Sequence, residues 1–344
     1  MAMTLADYAA STKEQLQAGV INAMLDDGAA AGGTLLRYMP IGDMASLTAI
    51  VTKVNNEGTS TGVGFRAIGE GFPEGTVSLY QESFNVASVG GDVLIDLAYE
   101  DDPSYIEGAS PEVLQVEYKT LLINRTVNNL IINGDRATDS RFFNGARKYQ
   151  DAGSVLLVTD VNATKANGLD IGSGFTTPDG KDFLSGVDRV LDYVGGGENV
   201  ILVMNWHMKW GLYRACRDNG FFQTTKDAYD RKIDTYRGVP IVNPGAKTAV
   251  ETLGGANGAL NNNQMVLPNN FTFGITTTCS EIYAMRLGVD NGCALYQKRG
   301  GLKVRTVQKE MEAAPQKLIR IDWYPVFYPK KKSSIAVFRG VKAV

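Results

Sequence analysis

One histidine in the whole chain, His207, removes most of the vocabulary of hydrolytic and metal chemistry. A serine or cysteine hydrolase needs an imidazole as its base. His207 lies among Trp206, Met208 and Trp210, a setting that reads as helix packing. Cysteine is nearly as scarce. Cys216, Cys279 and Cys293 form no C-x-x-C pair, and their odd number argues against a disulfide framework. They read as buried, reduced thiols of a cytosolic product, and with a single His they offer no zinc ligand set. No apolar run approaches the ~20 residues that span a bilayer. Met1-Ala2-Met3-Thr4-Leu5 lacks the basic and apolar regions of a signal peptide, so no leader is expected. A basic surplus is missing too. With 34 Lys and Arg against 37 Asp and Glu, the net charge of -3 does not describe a surface built to coat nucleic acid. Proline is low at 11 residues while glycine reaches 38, which gives many turns without low-complexity character.

What is present is an ordinary globular composition, 44% hydrophobic and 21% charged, over 344 residues, enough for two or three cores. Leu5 to Asp27 carries a sparse helical stripe that suits an arm. Leu47–Val54 and Gly62–Ile68 read as strands joined at 55–60, followed by a turn at 72–75 and a further strand over 76–85. Phe65, Phe72, Tyr80 and Phe84 have no local partners there, and a two-stranded ribbon is marginal alone. Burial on a neighbouring chain is the expected outcome, with Arg66, Glu74 and Glu82 as polar companions.

Val86–Ala98 adds strand. Ser110-Pro111-Glu112-Val113 then supplies a cap and a first-turn proline for a helix running to Asn133 and closed by Gly134. Its apolar residues fall on two stripes, so it is expected to be clasped from two directions. Strands at 155–160, 200–205, 236–242, 271–275 and 281–287 alternate with helices at 180–194 and 207–218, which predicts an α/β module. The end of the chain reads as a hairpin, with Leu318–Val326 and Ile335–Val341 turning at 330–334.

Chemical motifs are thin. Glu100-Asp101-Asp102 has the charge for a hard cation, but negative charge before a helix N-terminus explains it with less. Gly62-Val63-Gly64 and Gly69-Glu70-Gly71 match neither the dinucleotide nor the P-loop pattern. Lys330-Lys331-Lys332 reads as a solvated tip. No catalytic residue, cofactor or metal site is assigned.

The order of parts resembles the major capsid proteins of tailed phages with the Hong Kong 97 fold. The quoted segments are Asn133-Gly134-Asp135 with Phe143-Asn144-Gly145, Val203-Met204-Asn205 with Leu212 and Asp218-Asn219-Gly220, Gly238-Val239-Pro240-Ile241-Val242, Arg320–Tyr324, and Phe338-Arg339-Gly340-Val341. The resemblance implies an α+β chain divided into an N-terminal arm (1–45), an extended hairpin or E-loop (46–85), a peripheral domain (86–150) with a spine helix over 110–133, an axial domain (151–300) and a return to the peripheral domain (301–344). It implies a structural, non-enzymatic shell protein of the virion, assembled in the host cytoplasm as hexamers and pentamers around double-stranded DNA that it contacts weakly and without sequence specificity. A separate scaffolding protein is expected because few residues precede the hairpin, with a portal protein and a decoration protein as further partners. Gly90-Gly91 and Gly69 are read as pivots of the ribbon. Lys53 is the one lysine between Gly42 and Asn85, which makes it the candidate for a covalent crosslink. An encapsulin-like compartment shell is the nearest alternative, and a soluble α/β enzyme is the alternative of a different class.

Overall fold

The computed structural model describes residues 35–54, 65–72, 79–97, 111–150, 155–171, 178–197, 199–218, 223–226, 232–247, 263–308 and 315–342. The predicted arm helix and the acidic run at 100–102 lie outside them. The spine helix α1, Pro111–Asn133, forms as expected and extends about 35 Å at 1.5 Å per residue. Val116, Ile123, Val127, Leu130, Ile131 and Ile132 are buried along it, whereas Tyr118 stays exposed, so the second stripe is only partly covered. Its polar residues hold other segments. The buried Asn128 side-chain oxygen accepts from the Leu36 backbone amide at 3.3 Å, and the part-buried Asn133 side-chain amide donates to the Val266 carbonyl at 2.7 Å.

Gly134 ends the helix because nothing larger fits there. A Cβ would lie 2.4 Å from the Phe143 carbonyl oxygen and 2.5 Å from that of Leu130. The chain then folds back on itself. The Gly145 amide donates to the Gly134 carbonyl at 2.8 Å, the Arg136 amide donates to the Asn144 side chain at 3.0 Å, and Phe143 is buried beneath. A short helix α2, Ala146–Tyr149, follows.

The central layer is a nine-stranded sheet. Its main path runs β5 (Val155–Leu157), β17 (Ile335–Lys342), β12 (Thr276–Arg286), β7 (Val200–Val203), β10 (Val239–Val242), β9 (Lys232–Tyr236) and β8 (Gln223–Lys226). Beside this path, β6 (Leu169–Asp170) pairs with β17 and β11 (Phe271–Phe273) with β12. The two faces of the sheet serve two cores. Ile201, Val203, Tyr283, Met285, Ile335 and Val337 pack on the side of α1. Val200, Leu202, Ile282, Ala284, Ala336 and Phe338 pack on the side of helices α4 (Pro178–Tyr193) and α5 (Trp206–Asp218). Burial on both faces explains why β7 reads as the unbroken apolar run Val-Ile-Leu-Val. Between β5 and β6 a single helical turn α3, Val158–Val161, replaces the last part of the strand expected to reach residue 160.

The terminal hairpin is a correction. Leu318–Val326 is not one strand, and it does not pair with 335–341. β15 (Gln316–Trp323) lies between β14 (Lys303–Gln308) and β4 (Val89–Asp96). The chain breaks at Tyr324, and β16 (Pro325–Pro329) joins a different sheet with β13 (Cys293–Lys298) and β1 (Ile41–Met44). Pro325 has no amide hydrogen to continue the first ladder, and its carbonyl accepts instead from the Ala87 amide at 3.0 Å. β17 then enters the nine-stranded sheet between β12 and β5. The expected strand over 236–242 is likewise two. Arg237 (φ 50) and Gly238 (φ 82) both adopt left-handed conformations and form a two-residue hairpin turn between β9 and β10.

Gly186 of α4 sits so close to Phe338 that a Cβ would lie 2.3 Å from the ring. Gly→Ala in a helix interior ordinarily adds about 1 kcal/mol. Here overpacking against a fully buried ring costs about 1–3 kcal/mol. Gly186→Ala is therefore expected to lower, not raise, the urea midpoint of unfolding.

Candidate subunit interface

The ribbon is built from β2 (Thr48–Val54) and β3 (Leu79–Asn85), paired antiparallel from Thr48 opposite Asn85 to Val54 opposite Leu79. Of the strand expected over 62–68, residues 62–64 lie outside the described residues. Residues 65–72 carry no strand, and the arm that returns is the one expected over 76–85. The base of the ribbon is satisfied within its own chain. Phe84 is buried and stacks on Tyr328 with ring centroids 4.2 Å apart, while Tyr296 meets it at 6.1 Å. Glu82 accepts from the Tyr328 hydroxyl at 2.9 Å, and Tyr80 is half-buried. Burial, followed by the Glu82 hydrogen bond, raises the Tyr328 hydroxyl far above the usual phenol range. Phe84 is thus an anchor of the ribbon within its own chain, and half-buried Glu82 holds the same place through Tyr328.

The far end differs. Phe65 and Ile68 are fully exposed and Phe72 is largely so. Arg66 lies 5.0 Å from the centroid of Phe72 and donates to the Glu70 carbonyl at 3.1 Å. The Glu70 amide closes a turn on the Ala67 carbonyl at 3.1 Å, and its third residue, Gly69, has φ 96, which a side chain would resist. Three apolar side chains are therefore displayed on one short structured loop. Glu74 lies outside the described residues, and for Lys53 only the backbone position in β2 is described. Gly90 and Gly91, expected as pivots, lie within a strand ladder. Both are paired to β15 in β4, and a Cβ on Gly90 would lie 2.2 Å from the Ile321 carbonyl oxygen.

A second exposed apolar surface escaped the sequence reading. Trp206 and Trp210 of α5 are 44% and 51% exposed and meet edge to face at 5.7 Å. Met208 and Leu212 are the residues that pack inward. The four-residue spacing of the tryptophans places them on one face, but it does not say that the sheet covers the opposite one.

Among the described residues no group of three His, Cys, Asp or Glu is placed to hold a metal ion, and no helix is long and apolar enough to cross a membrane. The three cysteines are buried, and burial pushes the Cys293 thiol up to about 12.

No protein-family model and no curated protein matches the chain. Solved structures do. The SrpI encapsulin of Synechococcus elongatus PCC 7942 aligns with a TM-score of 0.60 at 15% identity, covering 90% of this chain and 88% of that one. The capsid of a native GTA particle gives 0.55 at 14%, covering 90% of each. The capsid of the cyanophage P-SCSP1u gives 0.52 at 10%, covering 91% and 90%. The likeness extends over nine-tenths of the chain at identities too low to speak for more than architecture, and the chain has the Hong Kong 97-like fold of capsid and encapsulin shells.

Proposed function

We propose that the chain is the major capsid protein of a tailed phage, a structural and non-enzymatic subunit whose copies form the hexamers and pentamers of an icosahedral shell around double-stranded DNA. The observation that carries this reading is the division of the ribbon. Its base is locked by Phe84 on Tyr328, while its tip presents Phe65, Ile68 and Phe72 to solvent. A monomer gains nothing from holding such side chains in water. A neighbouring copy does, at about 2 kcal/mol for each buried aromatic, and repetition across many interfaces turns modest contacts into a durable lattice. The Arg66 guanidinium over Phe72 keeps the tip soluble before docking. The virion is the place of such a shell, and scaffolding, portal and decoration proteins are its expected partners.

Phe65→Ser with Phe72→Ser is expected to leave the chain folded, with unchanged circular dichroism and melting temperature, and to abolish shells in negative-stain micrographs. Normal shells from this variant would defeat the interface reading. The fold alone also fits an encapsulin-like container, since an encapsulin is among the aligned structures. The content of particles from the native source separates the two. Nuclease-protected DNA supports the capsid, and an enclosed enzyme supports the container.

A further inference from the structure

Away from the ribbon, and among the described residues, a cluster of charged side chains lies where α2, β11, β12 and β17 meet. Glu281 of β12 is 3% exposed, and its carboxylate accepts from Arg147 Nη2 at 2.6 Å, from Arg339 Nε at 2.6 Å and from the Tyr283 hydroxyl at 2.8 Å. Its acceptor capacity is well used by these donors. Two guanidiniums share this one carboxylate, so the cluster carries a surplus of positive charge. Lys247 registers this charge: burial, and then the charge of Arg147, lower the pKa of its ammonium. The Gln150 side-chain oxygen accepts from Arg339 Nη2 at 2.7 Å, which fixes the amide orientation. Its Nε2 is then a buried donor with no acceptor among the described residues.

Beside these groups is a cavity of about 260 Å³, walled by Arg147, Arg339 and Glu281, with Asn270 and Thr272 adding polar side chains. Phe271 forms an apolar wall, its ring 5.5 Å from the Arg339 guanidinium. Arg147 has five N–H donors; one nitrogen engages Glu281 and a further contact reaches the Tyr283 hydroxyl, while 43% of its side chain remains exposed.

We propose that this cavity is an oxyanion site that takes a phosphate group. An arginine fork matches a phosphate edge with two parallel hydrogen bonds. A tetrahedral oxyanion also supplies the negative charge and the acceptor oxygens that the cluster has in deficit. The volume is below the roughly 300 Å³ at which small-molecule sites begin, so the occupant is a single phosphate and not a nucleotide. Free phosphate and a phosphodiester of a nucleic-acid backbone present the same chemistry, and the site stands independently of shell assembly.

Calorimetric titration of the full chain with inorganic phosphate, against chloride at equal ionic strength, tests it. Saturable binding is expected, weakened tenfold or more in Arg147→Gln and severalfold in Asn270→Ala, which removes a polar side chain from the cavity wall. The asparagine variant leaves the Glu281 clamp intact and decides the matter if the arginine variant does not fold. A short DNA duplex supplies the second arm. Binding that falls in parallel in the variants identifies a backbone phosphate, whereas phosphate-specific loss with unchanged DNA binding identifies the free anion. Absence of phosphate binding above chloride, or equal binding by wild type and Asn270→Ala, would overturn the proposal.

Discussion

Trp323→Ala is expected to lower the free energy of unfolding by about 4 kcal/mol, the range for deleting a buried large aromatic. Trp323 is among the largest fully buried side chains and stands at the end of β15, where the chain leaves one sheet for the next. Its indole Nε1 donates to the Gln297 side-chain oxygen at 3.0 Å, and Gln297 itself is buried in β13. That bond ties the β4–β15–β14 sheet to the β1–β13–β16 sheet. The alanine variant therefore leaves a cavity and also a buried carbonyl without its donor, which adds about 1–3 kcal/mol where no water enters. Trp323→Phe separates the two contributions, since it keeps most of the volume and loses only the donor. The chain has 3 tryptophans, so Trp206 and Trp210 remain to report urea unfolding by fluorescence. A shift in the alanine variant no larger than in the phenylalanine variant would mean that the cavity collapses.

The parts of the fold that were legible in the sequence are those fixed by neighbours in the chain. The spine helix announced itself through Pro111 at its first turn and Gly134 at its end, and both act locally. The segment after it was readable for the same reason: Gly134, Asn144 and Gly145 close on one another within a dozen residues. Asn205 is local on one side only. Its side-chain oxygen caps α5 through the Met208 amide at 2.9 Å, while its amide reaches the Leu267 carbonyl at 3.1 Å and the Ser280 hydroxyl at 2.9 Å.

Pairing partners were not legible, because alternation states which face a residue occupies and not which strand lies beside it. β15, β16 and β17 all carry strand patterns, yet they enter three sheets. At the candidate interface, Phe65 and Phe72 looked like Phe84 in the sequence. Only the distant Tyr328, which arrives through β16, makes Phe84 an anchor and leaves the other two outside. The tryptophans of α5 show the same limit, since a helix with large apolar residues on two sides does not declare which side the sheet takes.

Replacing Glu281 by Gln is expected to cost about 3 kcal/mol at pH 7, near the lower end of the loss for breaking a buried ion pair from one side. The lower end applies because the two guanidiniums left behind are not equally trapped. Arg147, 43% exposed, recovers hydration, whereas Arg339, 19% exposed, recovers little. The pH dependence distinguishes charge from shape. Burial alone would raise the Glu281 carboxyl, but the charges of Arg147 and Arg339, together with the hydrogen bonds from Arg147 and Tyr283, hold it below its ordinary 4.5. A carboxyl depressed in the folded state contributes stability above its unfolded value and loses it as pH falls through the folded one. Wild type is therefore expected to weaken progressively below about pH 4.5 as this carboxylate is protonated, with Glu281→Gln showing a shallower fall over the same window. Urea midpoints at pH 7, 4.5 and 3 measure both slopes. Parallel slopes would show that the clamp acts through packing, and a converging pair would show that its charge joins β12 to β17 and α2.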